Sequence, residues 1–309
     1  MIKAGQLMHI EKGFCDIGVL KYLCLTKIGQ MNYFSYHTHT TFCDGKNTAE
    51  EFVERAIDLG LSAVGFSSHA PLVQNEPWSM PLQSLKEYSS EVEGLKLKYR
   101  SKIQIYLSLE IDYIPEVTKS FKELKKEAGL DYTIGSVHLV KAKSDSEYWF
   151  LDGPDTNYIH GIEVLFDGDV QKAVTAYYNQ VIEMIETQKP DIVGHVDKVK
   201  MNNKGRFFSE NEKWYIDLLD ETIKVIKNSG TIVEVNTRGI YKKKSDSFFP
   251  GLYFLRECKK YAVPVTISTD AHHVDELVSG FDIAVSLLKD IGFESVRVFD
   301  NGGWFDQTL

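Results

Sequence analysis

The chain has 309 residues, 43% hydrophobic and 26% charged, the balance of an ordinary globular protein with enough apolar material for one large core. Asp and Glu outnumber Lys and Arg by 44 to 35, giving a formal charge of −9; this speaks against nucleic acid or an anionic membrane as the main partner, yet leaves room for a small phosphorylated substrate. The four cysteines form no CxxC pair, and no run reaches the roughly 18 apolar residues of a membrane span, so a cytoplasmic protein without a disulfide framework is expected.

Residues 1–30 carry no clear period, and the stretch Phe14 to Ile28 is broken by Asp16, Lys21 and Lys27, which makes a poor signal-peptide core. Met31 stands directly before the first strand-like run. The expectation is an N-terminal extension over 1–30, Met31 as the natural start and a single domain over 31–309; N-terminal mass determination of the native protein decides it. From Tyr33–His37, read as a strand, the chain passes to a helix opened by the capping box Thr48 and Glu51, with Phe52, Val53, Ala56, Ile57 and Leu59 on one face. Further strands are expected at Ala63–Ser68, Ile103–Leu109, Tyr132–Val137, Asp191–Gly194, Thr231–Val235 and Val265–Ser268, with an eighth candidate at Ser295–Phe299. Helices are expected at about 85–97, 116–127, 170–186, 252–260 and 274–288, and a second capping box, Ser209 with Glu212, opens one through Trp214 and Leu219. Val140–Phe166 breaks the rhythm and reads as a loop over a site, its aromatics either closing over a substrate or packing on the outer ring. Apolar strands alternating with helices indicate a parallel sheet buried on both faces, and seven or eight such units fit a closed barrel better than an open sheet.

Histidines and carboxylates gather where those strands end. His37 and His39 end the first, His69 the second, Glu110 the third, His138 the fourth, His195 the fifth, and Asp270 and His272 the seventh. That rim is where side chains from different strands of a parallel barrel converge. Residues two apart in an extended chain share a face, so the imidazoles of His37-Thr38-His39 can reach one ion, and Asp270-Ala271-His272 repeats the spacing. Imidazole with carboxylate suits zinc, manganese or iron. Asp44, in the Asp44-Gly45 turn, returns close to the histidine pair; the same dipeptide is also an ordinary turn signal. Arg238, beyond the sixth strand, and Arg206, in the loop after His195, are the candidate phosphate contacts, since a guanidinium grips phosphate bidentately. His9, His160 and His273 receive no role, and no residue is singled out as the leaving-group acid. Asp112, Asp152 or Asp155 can meet a substrate amine; the spacing does not choose among them.

Taken in order, His37-Thr38-His39-Thr40…Asp44-Gly45, Ser68-His69-Ala70, Glu110, Gly135-Ser136-Val137-His138, Gly194-His195 and Ser268-Thr269-Asp270-Ala271-His272 resemble the successive motifs of the PHP (polymerase and histidinol phosphatase) family. More narrowly, they resemble its histidinol phosphatases. The resemblance implies an α/β fold of distorted (β/α)7 barrel type, a trinuclear centre of zinc, manganese or iron, and hydrolysis of L-histidinol phosphate in histidine biosynthesis. Carried over by residue, one ion is held by His37, His39, Glu110 and Asp270, a second by Glu110, His138 and His195, and a third by Asp44, His69 and His272. A hydroxide shared by the first two ions is then the expected nucleophile. Some family members have histidine where this chain has Asp44, which bears on the third ion. The alternatives are another phosphoesterase of the family acting on phosphotyrosine, a nucleotide or a sugar phosphate, an amidohydrolase, whose bridging group is often a modified lysine, or a non-catalytic metal-stabilised scaffold.

Overall fold

A computed structural model of the chain describes residues 32–72, 76–142 and 147–309, so the expected extension over 1–30 and its boundary at Met31 lie outside the described residues. Strand and helix alternate from the first described element: β1 (Phe34–Ser35), α1 (Ala49–Asp58), β2 (Ala63–Phe66), α2 (Leu85–Tyr99), β3 (Gln104–Leu107), β4 (Glu110–Asp112), α3 (Phe121–Ala128) and β5 (Ile134–Ser136). The hairpin β6 (Leu139–Lys141) and β7 (Tyr148–Phe150) and the short α4 (Asp155–His160) precede α5 (Val170–Gln188) and β8 (Ile192–Val193). Then come α6 (Lys213–Ser229), β9 (Ile232–Asn236), α7 (Arg238–Tyr241), α8 (Leu252–Lys260), β10 (Val265–Ser268), α9 (Phe281–Ile291), and the hairpin β11 (Ser295–Asp300) and β12 (Gly303–Thr308).

All pairings in the two main sheets are parallel, in the orders β1-β2-β3 and β10-β9-β8-β5-β4. Their strand ends meet twice. Parallel bridges link Thr38 with Ala271 and His69 with Glu110, where the His39 and Ala70 amides donate to the Ala271 and Glu110 carbonyls, each at 2.8 Å. Every residue of β2, β5, β9 and β10 is buried, the signature of parallel strands covered on both faces. Helices supply one cover: α1, opened by the expected capping box, turns Phe52, Val53 and Ala56 inward. Burying a Phe or Val side chain contributes about 1.5–3 kcal/mol.

Several expectations are corrected. The third strand is two pieces, because β3 pairs with β2 whereas β4 pairs with β5, and the chain changes neighbour at Ser108 and Leu109. The eighth candidate forms β11, which pairs antiparallel with β12 and stays out of the parallel sheets. Phe299 of that hairpin packs on Tyr106 and Tyr132, with ring centroids 5.0 and 5.5 Å away, and its amide donates to the Tyr36 hydroxyl at 2.9 Å. Tyr132 reaches across Gly65, where a Cβ would stand 2.0 Å from its hydroxyl oxygen. Helix α3 starts at Phe121, since Glu116 has a left-handed φ of 66° and Ser120, directly before the helix, has a ψ of 131°. The second capping box is half made: Glu212 accepts from the Ser209 amide, but the Ser209 hydroxyl accepts from Asn211, and α6 begins at Lys213. The stretch 274–288 divides at Gly280, whose φ is 76°. Among the described residues no helix is long and apolar enough to cross a membrane.

Candidate metal centre

Backbone hydrogen bonds fix the ligand-bearing strand ends. Ala271 lies against His37 and His39, its amide donating to the His37 carbonyl at 3.1 Å, so the two HxH-like motifs face each other. The Asp44-Gly45 turn folds back over them: the Gly45 amide bonds the Thr40 carbonyl, the Lys46 amide bonds the His272 carbonyl at 2.8 Å, and a Cβ on Gly45 would sit 2.3 Å from the His39 carbonyl oxygen. His195 and Asp270 hold φ values of 22° and 51°, a left-handed backbone that costs a non-glycine residue energy and recurs where side chains are aimed at a site.

Glu110 is the hub. Its Oε2 lies 3.2 Å from His37 Nε2, 3.4 Å from His39 Nε2 and 3.1 Å from His69 Nδ1. Its Oε1 lies 2.8 Å from His195 Nε2 and 3.8 Å from His138 Nε2. Asp270 Oδ1 stands 3.3 Å from His39 Nε2 and 3.4 Å from His272 Nδ1, and Asp44 Oδ2 stands 3.3 Å from His272 Nε2. Ligand atoms fall within 4.8 Å of one another in three overlapping groups: His37, His39 and Glu110; His69, Glu110 and His138; His39, Asp44, His69 and His272. Thus all nine residues read from the sequence as ligands come together, with His39 and His69 each placed between two groups.

The donor set fits divalent cations. His37 Nε2, His39 Nε2, Asp44 Oδ1, His69 Nδ1 and His195 Nδ1 are buried with no hydrogen-bond partner among the described residues, a costly arrangement unless a cation takes up the lone pairs. Burial lowers His39 to about 4, with His272 adding repulsion, and burial takes His69 down to about 3. Burial works against charge on His37 as well, but Glu234, Glu110 and Asp270 carry it well above its ordinary value. Glu110 and Asp270 lie well below the carboxylate range, since the surrounding histidines, and Arg238 for Asp270, outweigh burial.

Buried carboxylates behind the histidines complete the centre, and sequence reasoning missed their role. Glu234 on β9 takes His37 Nδ1 at 2.5 Å on one oxygen, together with the Ser268 hydroxyl, and on the other accepts from the His195 amide at 2.7 Å and Asn236 Nδ2 at 3.1 Å. Asp112 holds His138 through Nδ1 at 2.9 Å and through its amide at 2.8 Å, so it is committed to orienting a histidine. Such partners fix the tautomer that leaves the other ring nitrogen free for a metal. The signal was present in part: Asp112 is two residues from Glu110 on the same strand face, and Glu234 is a charge inside an apolar strand.

Above the centre lies a cavity of about 230 Å³, lined by ligands and by Trp78, Phe150, Asp152, Lys198, Arg238 and Lys244. Arg238 is there as expected, its Nη1 donating to the Asp270 carbonyl at 2.7 Å and to the Tyr241 hydroxyl at 3.1 Å. Arg206 is not among the lining residues; it pairs with Asp155 and with the carbonyls of Asn202 and Asn203, because Asp155 at the start of α4 faces it across the surface. The cations that reach the cavity instead are Lys198 and Lys244, which bracket Asp152 at 2.8 and 3.0 Å. Lys198 also lies 3.1 Å from His138 Nε2. Of the aromatic insertion, Trp149 and Tyr158 are fully buried and bonded to each other through the Trp149 Nε1 and the Tyr158 carbonyl, while Phe150 faces the cavity. A larger cavity of about 650 Å³ adjoins, sharing Lys244, but among the described residues it gathers no comparable cluster of histidines and carboxylates.

This arrangement can hold several cations side by side and present fixed positive charge to an anionic substrate. Known proteins are similar to this chain in sequence and shape. The histidinol-phosphatase of Bacillus subtilis is 28% identical over 256 residues, covering 78% of this chain and 94% of that protein. The solved structure of a Listeria monocytogenes protein assigned as a histidinol phosphatase superposes with a TM-score of 0.72 at 23% identity, covering 81% of this chain and 99% of that one. The histidinol phosphate phosphatase of Lactococcus lactis, whose structure holds zinc, L-histidinol and phosphate, gives a TM-score of 0.63 at 20% identity, covering 89% and 99%. These two likenesses show a shared fold. The PHP-domain family model matches residues 35–238, well over half of the sequence, and the chain belongs to the PHP family.

Proposed function

We propose that the protein is a metal-dependent phosphomonoesterase that hydrolyses L-histidinol phosphate to L-histidinol and inorganic phosphate, a cytoplasmic enzyme of histidine biosynthesis whose residues 31–309 act as one domain. The observation that carries the chemistry is the Glu110-centred cluster of imidazoles and carboxylates lying beneath a cavity that also presents Arg238, Lys198 and Lys244. The substrate follows the named activity of the Bacillus relative. The parallel segments β1, β2, β3 with β4, β5, β8, β9 and β10 form a distorted (β/α)7 barrel in this reading, which the Thr38–Ala271 and His69–Glu110 bridges support.

One ion would be held by His37, His39, Glu110 and Asp270, a second by Glu110, His138 and His195, and a third by Asp44, His69 and His272. Divalent cations acidify water and neutralise phosphoryl charge, the two requirements of ester hydrolysis at neutral pH. The chain supplies the rest. Glu234 and Asp112 keep a proton on Nδ1 of His37 and His138, leaving each Nε2 lone pair for a ligand. Arg238, with Nη1 fixed by the Asp270 carbonyl, offers a rigid charge to phosphoryl oxygens. Burial opposes the charge on Lys198, but Asp152, Asp270 and Glu110 raise its pKa, so it remains an ammonium facing the same oxygens. Trp78 and Phe150, stacked at 6.0 Å and 10°, form a wall that limits water.

The test is phosphate release from histidinol phosphate, phosphotyrosine, a nucleoside monophosphate and a sugar phosphate. Metal-stripped protein is assayed with and without Zn²⁺, Mn²⁺ or Fe²⁺, beside a His37→Ala variant. Metal-dependent turnover strongest on histidinol phosphate and lost in the variant is expected. Preference for another ester would discard the substrate, and metal-loaded protein that releases no phosphate would discard the chemistry.

A further inference from the structure

The phosphate half of the substrate meets ligands, Arg238 and two lysines. The organic half is left to the rest of the cavity lining, where Trp78 and Phe150 stand with Asp152, the carboxylate between the two lysines. The Nε1 of Trp78 is buried with no hydrogen-bond partner among the described residues. An indole N–H is a donor only, and a buried one left unsatisfied is costly, so its position asks for an acceptor. The ring is held rigidly: it stacks on Phe150, meets His69 and His138 edge to face at 4.8 and 5.7 Å, and rests with Phe150 on the buried cluster of Leu72, Ile114 and Leu139.

Asp152 belongs to the same lining, one ammonium's width from the centre, since Lys198 spans the gap between His138 and Asp152. Each Asp152 oxygen takes one lysine, and a carboxylate has about four acceptor sites, so capacity for a further cation remains. Burial would raise its pKa, but Lys198 and Lys244 hold it well below the carboxylate range, so it stays an anion between two ammonium groups.

We infer that Asp152 and the Trp78–Phe150 wall are the specificity-determining set, selecting phosphomonoesters that carry an ammonium group next to the ester carbon and a planar heteroaromatic ring beyond it. The inference rests on the histidinol phosphate reading and deepens it. Asp152 takes the ammonium. The ring lies against the aromatic wall, and a neutral ring nitrogen accepts from Trp78 Nε1. The charge pattern matches: one anion between two cations, facing a substrate whose ammonium sits beside its phosphate.

The test is a matrix of enzyme variants and trimmed substrates on the metal-loaded protein. Asp152→Asn and Trp78→Phe are compared with the parent on histidinol phosphate, on 3-(imidazol-4-yl)propyl phosphate, which lacks the amine, and on 2-aminopropyl phosphate, which lacks the ring. Asp152→Asn loosens Lys198 and Lys244 for every ester, so it should lower kcat/KM on the two amine-bearing esters about tenfold or more beyond its effect on the amine-free ester. Trp78→Phe, which keeps an aromatic ring and removes the N–H, should lower kcat/KM on the two imidazole esters and spare 2-aminopropyl phosphate. Equal losses on all three esters would overturn the inference, leaving Asp152 as a positioning residue for Lys198 and Lys244. Calorimetric titration with L-histidinol stands apart from turnover: binding weakened in both variants supports the subsite, and unchanged binding overturns it. Parent protein that binds L-histidinol but releases no phosphate from any ester would overturn the proposed function instead.

Discussion

Replacing Glu234 by glutamine exchanges a single acceptor oxygen for an NH₂ group, and the donors around it determine the outcome. One carboxylate oxygen accepts from the His195 amide and from Asn236 Nδ2; the other takes His37 Nδ1 and the Ser268 hydroxyl. A glutamine must turn its NH₂ toward one of these pairs. The His195 amide is a backbone donor and cannot invert, so the glutamine oxygen goes to that side and the NH₂ faces His37. His37 then accepts at Nδ1 and carries its proton on Nε2, the nitrogen that lies 3.2 Å from Glu110 and is proposed to ligate. Loss of a carboxylate behind a ligating histidine costs about 10–100-fold in metal affinity, roughly 1.4–2.7 kcal/mol. Competition titration of metal-stripped Glu234→Gln against a chromophoric chelator measures this, with the His37→Ala variant as the limit. A wild-type affinity in a folded Glu234→Gln protein would refute the tautomer argument.

The other expectations concern the cavity and the imidazoles. Arg238→Met should lower kcat/KM about 100-fold on a phosphomonoester, and Arg238→Lys should recover only part, because a lysine cannot hold the Asp270 carbonyl and offer a planar fork together; steady-state kinetics decide it. Arg206→Ala should leave kcat/KM within about twofold, since its partners are Asp155 and loop carbonyls outside the cavity. In metal-free protein, folded His39 and His69 lie at about 4 and about 3, below the unfolded value near 6.5. As pH falls from 6.5 toward 4 the unfolded chain takes up protons that the folded chain refuses, so stability drops by up to about 1.4 kcal/mol per pH unit for each. His37, raised when folded, acts oppositely: its contribution is present below 6.5 and fades as pH rises through its folded value. Urea unfolding of chelator-treated protein across this range measures the slope; a midpoint flat from pH 6.5 to 4 would contradict it.

Much of the centre was legible because strand geometry is strict. A period of two puts His37 with His39, and Asp270 with His272, on one face without knowledge of the fold. The residues that orient them were harder to see. Glu234 sits among Ile232, Val233 and Val235, a run that reads as a buried strand, and only the folded structure, which brings His37 from beyond the end of β1 against it, reveals that its side chain meets an imidazole. Lys198 opens a single 3₁₀ turn and Lys244 lies in a loop, places where lysine is ordinarily a solvated surface residue, and only their convergence on Asp152 makes them part of the cavity. Arg206 misled for the complementary reason: its sequence neighbourhood is right, but Asp155 captures it. In the fold, the alternation of strand and helix was readable, whereas β12 was not, since its residues are all half-buried or exposed without alternation and acquire meaning only opposite β11.

Thr38 and Ala271 are 233 positions apart in the chain yet bridge side by side, and His37 rests on Glu234 across 197 positions. A nascent chain that has not yet reached Asp270 lacks a ligand for the first and the third of the proposed ions. Such a chain can hold those two cations only loosely, through pairs such as His37 and His39. With the proposed ligand sets, firm capture of the full metal set would therefore be a certificate of finished synthesis and folding: the event that arms the chemistry would also tie the earliest ligand-bearing strand to the last, leaving truncated or misassembled copies unfastened.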